Sequence, residues 1–311
     1  MDIERHRNRR LHGLYPMMRL LFLGLVARAL LAGNLAFANM VLIPPPAGVT
    51  YTGPLDVVSS ATACWSLRAC SAAKRGTASI NVCNVSDVVC ADLSTDATTG
   101  ALVITTIGGS SCGSITCTVK TIYDQSGNGF NMTQATIAKR PTLTVSCFGS
   151  LPCMTGSGTQ FLSIAGGIGV LNQPLTTSYV AERTAAFSAY SDVIGNNNSS
   201  QVGFQVTNEA FAYAGAQINA TATDSAAHSV QTVLATTSSL DVDGAAAVTG
   251  STGSPGYTAA QTDIFGCGSG ASSCNVLTGN VGEVIVWPSG LTTPQQNNIC
   301  HNQTYWGAFG C

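Results

Sequence analysis

Twelve cysteines are the residues whose types and spacing most directly imply a chemistry. They fall as six close pairs: Cys64 and Cys70, Cys83 and Cys90, Cys112 and Cys117, Cys147 and Cys153, Cys267 and Cys274, Cys300 and Cys311. An even set of this kind reads as a disulfide framework, and the simplest connectivity joins each cysteine to its neighbour. Such loops are short, so each bond contributes on the order of 2–3 kcal/mol. Zinc is the competing chemistry. It is disfavoured because no Cys-x-x-Cys repeat occurs and only His228 and His301 lie beyond the N-terminal segment. No metal and no cofactor are expected.

The other groups able to do chemistry are sparse. Asp, Glu, Lys and Arg make up 9% of the chain, against roughly 25% in an average soluble domain. His228 has Ser225 and Ser229 near it, but no Gly-x-Ser-x-Gly elbow accompanies them, so Ser-His-Asp catalysis is not indicated. Glu283 stands in an apolar run and reads as structural, facing outward at a strand or paired near a concave surface. Asp241 and Asp243 flank a turn and read as solvated. The most specific string is Ile122-Tyr123-Asp124-Gln125-Ser126-Gly127-Asn128-Gly129. Its plainer reading is a structural turn, with Asp124 accepting backbone N–H bonds and the glycines supplying positive φ. Its functional reading gives Asp124, Gln125 and Asn128 a place in a sugar site.

The elements that must position these residues are mostly strands. Runs rich in Val, Ile, Thr and Tyr recur at 78–83, 101–107, 117–123, 142–147, 176–182, 201–206, 229–235 and 281–287, separated by Gly, Ser and Asn clusters. That rhythm predicts an all-β sandwich or jelly roll. Residues 238–248 read as a hairpin turning at Asp243-Gly244. Two stretches read as helix: 59–73, and a C-terminal one from Leu291 to Trp306, with Thr292 or Thr293 as cap and Pro294 in the first turn. The N-terminus carries Arg5, Arg7, Arg9, Arg10 and Arg19, then an apolar run from Leu20 to Leu35 and the step Ala36-Phe37-Ala38. This has the order of an export signal, so residues 1–38 are expected to be removed, 39–53 to form a Pro-rich linker, and 54–311 to form one domain. Removal takes away six of the thirteen basic residues and two of the fifteen acidic ones. What remains is mildly acidic, which disfavours nucleic acid as a partner and suits a neutral glycan. The expected location is secreted, extracellular or periplasmic, with no stable membrane insertion after cleavage.

The cysteine pair Cys112/Cys117, the strand ending in IYDQSGNG and the step Thr133-Gln134-Ala135 together resemble the catalytic domain of fungal-type α-L-arabinofuranosidase B, glycoside hydrolase family fifty-four. More distantly, the chain is similar to concanavalin A-like and laminin-G-like domains. The likeness extends to Ala63-Cys64-Trp65-Ser66-Leu67-Arg68, to Arg140-Pro141, to Gly158-Thr159-Gln160-Phe161-Leu162 and to the closing strand Val281–Trp287. The resemblance implies a concanavalin A-like β sandwich with a short C-terminal helix. It also implies hydrolysis of terminal arabinofuranosyl groups on polysaccharide by a retaining pair of carboxyl groups, which such chemistry needs at about 5–5.5 Å. The position comparable to the family's nucleophile falls at Gln201 or Gln205, and Glu209 is the acid next to it. The position comparable to the family's acid/base falls in Phe265–Ala271, and Asp263 is the acid just before it. Glu209 as nucleophile, Asp263 as general acid and Gln205 as a binding residue are therefore the candidates. The alternative is a carbohydrate-binding or surface-adhesion sandwich that has lost the catalytic acids.

Overall fold

The computed structural model describes residues 50–185, 190–197, 199–205, 208–266 and 276–311. Among these, the first half supplies strands β1 (Ala63–Ser66), β2 (Ala78–Asn84), β3 (Cys90–Ser94), β4 (Thr106–Ile107), β5 (Ser110–Ser111), β6 (Cys117–Ile122), β7 (Met132–Thr133), β8 (Thr142–Phe148), β9 (Leu151–Ser157) and β10 (Leu162–Ile164). The second half supplies β11 (Leu175–Arg183), β12 (Tyr190–Asn196), β13 (Ser200–Gln205), β14 (Glu209–Tyr213), β15 (Gln217–Thr221), β16 (Ala227–Leu234), β17 (Ser238–Val242), β18 (Val248–Gly250), β19 (Thr262–Ile264) and β20 (Thr278–Trp287). Helix α1 is one turn, Pro54–Val57, and α2 spans Thr293–Gln303.

The strands form an antiparallel, disulfide-rich sandwich. The front sheet runs β3-β2-β6-β7-β10-β19-β12-β13-β14-β15. The back sheet runs β18-β17-β16-β11-β20, with β1 and β9 sharing the other edge of the long strand β20. A single pairing, Thr118 with Thr142, ties β6 to β8 and joins the sheets along one side.

Alternation builds the main core. Val281, Val284 and Val286 of β20, Tyr179 of β11, Phe204 of β13 and Ala210 and Ala212 of β14 all point between the sheets. Tyr179 meets Phe204 edge-on at 5.9 Å and donates its hydroxyl to the Gly203 carbonyl at 3.1 Å. Trp65 is fully buried and donates Nε1 to the Phe130 carbonyl.

The back sheet is covered on its outer face as well. Helix α2 lies there, and beneath it Ile285, Trp287, Leu291 and Ile299 form a second apolar cluster with Cys64 and Cys70. The helix starts as its sequence predicts: Thr292 caps, Gln295 returns the bond and Pro294 sits in the first turn. Beside the apolar cluster lies a buried polar one. Arg68 grips both oxygens of Glu283, Nε to Oε2 at 2.9 Å and Nη2 to Oε1 at 3.2 Å. Ser66 and Gln303 donate the remaining bonds to Glu283. Arg68 also reaches Asn302 of the helix and lies over the Tyr305 ring. Glu283 is thus structural, but it faces a covered surface with no exposure, not solvent. Burial works to raise its pKa, and the Arg68 guanidinium with the surrounding donors outweighs that and holds it below the usual carboxylate value.

Three expectations need correction. Residues 59–73 do not form a helix: 63–66 are a strand and only Ala72–Lys74 makes a 3-10 turn. Pairing of Ala63–Ser66 with Val286–Glu283 buries every residue of β1, a gain that outweighs the helix propensity of its alanines. The run 101–107 contributes only Thr106–Ile107 to a strand, plus a bridge from Leu102 to Thr95. Asp241 is covered, and Asp243 is only partly solvated. Asp241 is 7% exposed, and Asp243 bonds His228 and the Ser229 N–H. The turn itself is as expected, with Asp243 at φ 56° and Gly244 at φ 76°. A Cβ on Gly244 would lie 2.5 Å from the Cys311 Cα, so the turn and the chain end fit only with glycine there.

Five of the expected disulfides are present: 64–70, 83–90, 112–117, 147–153 and 300–311. Cys267 and Cys274 lie outside the described residues. Mass mapping of the unreduced protein should return these five loops as separate linked peptides, and any long-range link would refute the pairing. Replacing Glu283 by Gln should lower unfolding free energy by about 3–5 kcal/mol, because Arg68 is left buried with no counter-charge. Urea unfolding at neutral pH measures it.

Candidate functional site

The register of the front sheet assembles one continuous face. Glu209 pairs with Gln205, Gln205 with Tyr190, Gly203 with Asp192, Gly195 with Asp263, and Asp263 with Ser163. Side chains two apart in a strand share a face, so Glu209, Gln205, Gln201, Tyr190, Asp192 and Asp263 all project from the outer side of this sheet. β15 adds Gln217 and Asn219 beside Tyr213 and Phe211. A surface of amides, acids and tyrosines is suited to hydroxyl-rich ligands.

The amides are already ordered. Gln205 donates Nε2 to Glu209 Oε2. Gln217 donates to Gln205 Oε1 at 2.9 Å and to Asn219 Oδ1. Glu209 and Gln205 are half-buried, so their polar edges meet solvent. Asp263 is fully buried and accepts Nε2 of Gln261 at 2.8 Å.

Glu209 and Asp263 share the face but are not neighbours. Three strand spacings across and five residues along β12 separate them, which amounts to about 20 Å between Cα atoms. Side chains of that length cannot close such a gap to the separation a carboxyl pair requires.

A third carboxyl, not singled out in the sequence, lies between them. Asp192 is 0% exposed, and neither of its oxygens has a hydrogen-bond partner. Burial alone pushes its pKa well above the usual carboxylate value. A bulge follows it, between Asp192 and Ile194. The bulge depends on Gly203, whose Cβ would sit 2.2 Å from the Ser191 carbonyl oxygen. By the same register, Asp192 lies about 12 Å from Glu209 and about 8 Å from Asp263, Cα to Cα. In the sequence it is one acid inside Tyr-Ser-Asp-Val-Ile-Gly, and no spacing marks it. Only the strand order puts it between the other two.

The IYDQSGNG turn is stitched into the scaffold. Asp124 accepts N–H bonds from Cys64, Ser126 and Phe130 and the Ser126 hydroxyl. Gln125 is 2% exposed, accepts from Cys70 N–H and donates to the Ser66 and Arg68 carbonyls. Asn128 donates to the Ala61 and Thr62 carbonyls. These bonds hold the 61–70 segment, with its disulfide, against the turn. The geometry supports the structural reading of this motif.

His228 is likewise engaged, with Nδ1 at 2.6 Å from Asp243 and Nε2 at 2.8 Å from the Thr223 carbonyl. Cys83, Asp87 and Cys90 form the metal-like cluster among the described residues, but their two sulfurs are bonded to each other and Asp87 pairs with Arg140.

No family model matches the sequence, and no curated protein matches it. Solved structures do. A family-fifty-four α-L-arabinofuranosidase soaked with a cyclic sulfate inhibitor superposes with a TM-score of 0.61 at 14% identity, over 82% of this chain and 65% of that one. An arabinofuranosidase complexed with arabinofuranosyl-α-1,2-xylobiose gives 0.59 over the same shares. The fold is therefore the sandwich found in these arabinofuranosidases, and the chain spans slightly less than two thirds of their length. Among the described residues, no helix is long and apolar enough to cross a membrane.

Burial works against a charged His228, yet its bonds to Asp243 and the Thr223 carbonyl outweigh it and raise its pKa above 6.5. The imidazolium therefore contributes stability below about pH 6.5, and that contribution fades as pH rises through the raised value. The stability difference between wild type and His228→Gln should be larger at pH 5.5 than at pH 8.5. Urea titrations at the two pH values check this, and an equal difference at both would refute it.

Proposed function

We propose that this protein is an exported glycoside hydrolase that removes terminal arabinofuranosyl groups from polysaccharide at the outer face of the front sheet. The observation that carries the reading is the gathering of three carboxyl groups, among amides and tyrosines, on one face of a sandwich that matches arabinofuranosidases over 82% of the chain. Glu209 is assigned the attacking role. It is half-buried, and the Gln205 amide donates to its Oε2. Gln205, Gln217 and Asn219 supply donors and acceptors for sugar hydroxyls. The proton is supplied from the Asp192–Asp263 side of the same face. The mechanism is retaining and needs no metal or cofactor. Residues 1–38 act as the export signal and 39–53 as a linker to the domain 54–311, which places the mature protein outside the cytosol, where its disulfides persist.

A second reading has a specific observation behind it. The Gln217–Gln205–Glu209 ladder ties up the half-buried polar groups with one another, as in a surface that holds a glycan without cleaving it.

Release of 4-nitrophenol from 4-nitrophenyl α-L-arabinofuranoside separates the two. The hydrolase reading expects turnover that Glu209→Gln reduces by about 10³-fold or more. Binding of arabino-oligosaccharide with no turnover at high protein concentration would establish the binding module instead. N-terminal sequencing of the exported protein should begin at Asn39.

A further inference from the structure

Among the described residues of the front face, the Asp192 carboxyl has no bond to either oxygen. A carboxylate buried this way lacks any donor to stabilise its charge, so the group keeps its proton, and a neutral carboxyl presents one O–H donor. Glu209, on the same face, is in the contrasting situation: half in solvent and bonded by an amide N–H. Two carboxyl groups whose surroundings separate their protonation states are what acid-assisted glycoside cleavage requires. Asp263 cannot be the partner of Glu209, since about 20 Å lies between them along the register, whereas Asp192 stands about 12 Å away, Cα to Cα. The bulge after Asp192 is a device that re-aims a side chain, and bulges of this kind recur beside active sites. On this face, Gly203 lies directly across from it, between Gln201 and Gln205 of the same strand, and Gly195 lies further along its own strand.

We propose that Asp192, and not Asp263, is the group that protonates the leaving-group oxygen, with Glu209 as the attacking carboxyl. The assignment rests on the hydrolase reading above. In the first step the bond from C1 to the glycosidic oxygen breaks, its electron pair stays on that oxygen, and the oxygen takes the Asp192 proton. A Glu209 oxygen bonds to C1 and gives a glycosyl ester. In the second step water attacks C1, passes its proton to the Asp192 carboxylate, and the ester electron pair returns to Glu209. Asp192 is fully covered in the ligand-free molecule, so the sugar ring must replace the atoms that now cover it. The titratable groups around Asp192 are Tyr190 on its own strand, Asp263 from β19 and Glu209 from β14 on the same face, and Tyr179 of β11 from the core side of the sheet.

The test compares two arabinofuranosides that differ in their need for a proton. A 2,4-dinitrophenyl leaving group departs unaided, and a methyl leaving group does not. Asp192→Asn should lower kcat/KM on the methyl glycoside by about 10²–10⁴-fold and on the dinitrophenyl glycoside by less than about 10-fold. It should also abolish the basic limb of the pH profile, and azide should restore its rate on the activated substrate if deglycosylation limits it. Its urea midpoint should stay close to that of wild type, because one neutral unpartnered group replaces another. Should that variant fail to fold, Asp192→Glu is read instead: it should keep the basic limb at a lower rate. Equal losses on both substrates, no loss on either, or leaving-group sensitivity in Asp263→Asn and not in Asp192→Asn would overturn the assignment while the hydrolase reading stands. A wild type inactive on both substrates would remove both.

Discussion

The buried pair of Arg68 and Glu283 is the interaction on which the rest of the architecture depends. It joins the segment that follows β1 to the middle of β20, and through Asn302, Gln303 and Tyr305 it fastens the C-terminal helix to both. Two charges without solvent exposure cost several kcal/mol each to desolvate. They are tolerated because almost every lone pair and N–H finds a partner. Glu283 accepts from Arg68, Ser66 and Gln303, and Gln303 in turn accepts from Ser229 and Gln231. With so few charged residues in the chain, fixing the helix this way determines which face of the back sheet is covered, where a purely apolar seam could slide.

Covering the back sheet has a consequence for the front one. β20 is buried on both faces, between the sandwich core and α2, so the apolar content of the chain concentrates on that side. The outer face of β12, β13, β14 and β19 carries Gln, Glu, Asp and Tyr, with Asp192 and Asp263 covered and Glu209, Gln205, Tyr190 and Tyr213 reaching solvent. The same division accounts for the lone aspartate. A carboxyl that contributed to folding would have acquired donors, as Glu283 and Asp124 have. Asp192 has none and therefore opposes folding, by an amount of the order of the penalty for an unmatched buried polar group, about 1–3 kcal/mol. Uncompensated costs of this kind are concentrated where a protein acts on a ligand.

Much of this was legible in the residues, for identifiable reasons. Disulfide partners were readable because the loops are short and the cysteines even in number. The α2 start was readable because Thr292, Pro294 and Gln295 state a cap chemically. Most strands were readable from β-branched runs. The segment 59–73 was not, since its alanines and cysteines look helical until β20 is available as a partner. Asp241 and Asp243 look like turn residues and are, but their burial comes from the chain end and from His228, far away in sequence. Glu209 and Asp263 were found by position relative to a resembling family. Asp192 was not found at all, because its significance lies in what fails to surround it. Absence of partners is a property of strand order, and no local pattern encodes strand order.

The contrast in cover between carboxyl groups on one sheet face is what the proposed chemistry rests on. In water all three carboxyl groups of the front face would ionise within a narrow range, since Asp and Glu differ by only about 0.4 pH units intrinsically. Selecting one to stay protonated requires withholding donors from it while leaving another in contact with solvent. A sheet face does this cheaply, because adjacent strands can differ in cover: β14 borders solvent, while β12 and β19 do not. The glutamines next to Glu209 add donors without adding charge, so they leave Asp192 unaffected by any positive partner. A lysine or arginine in this row would have lowered both carboxyl groups together and erased the difference. The scarcity of cations in the sequence, which at first only argues against nucleic acid, is thus also what leaves the Asp192 carboxyl raised by its burial with no positive group to offset it.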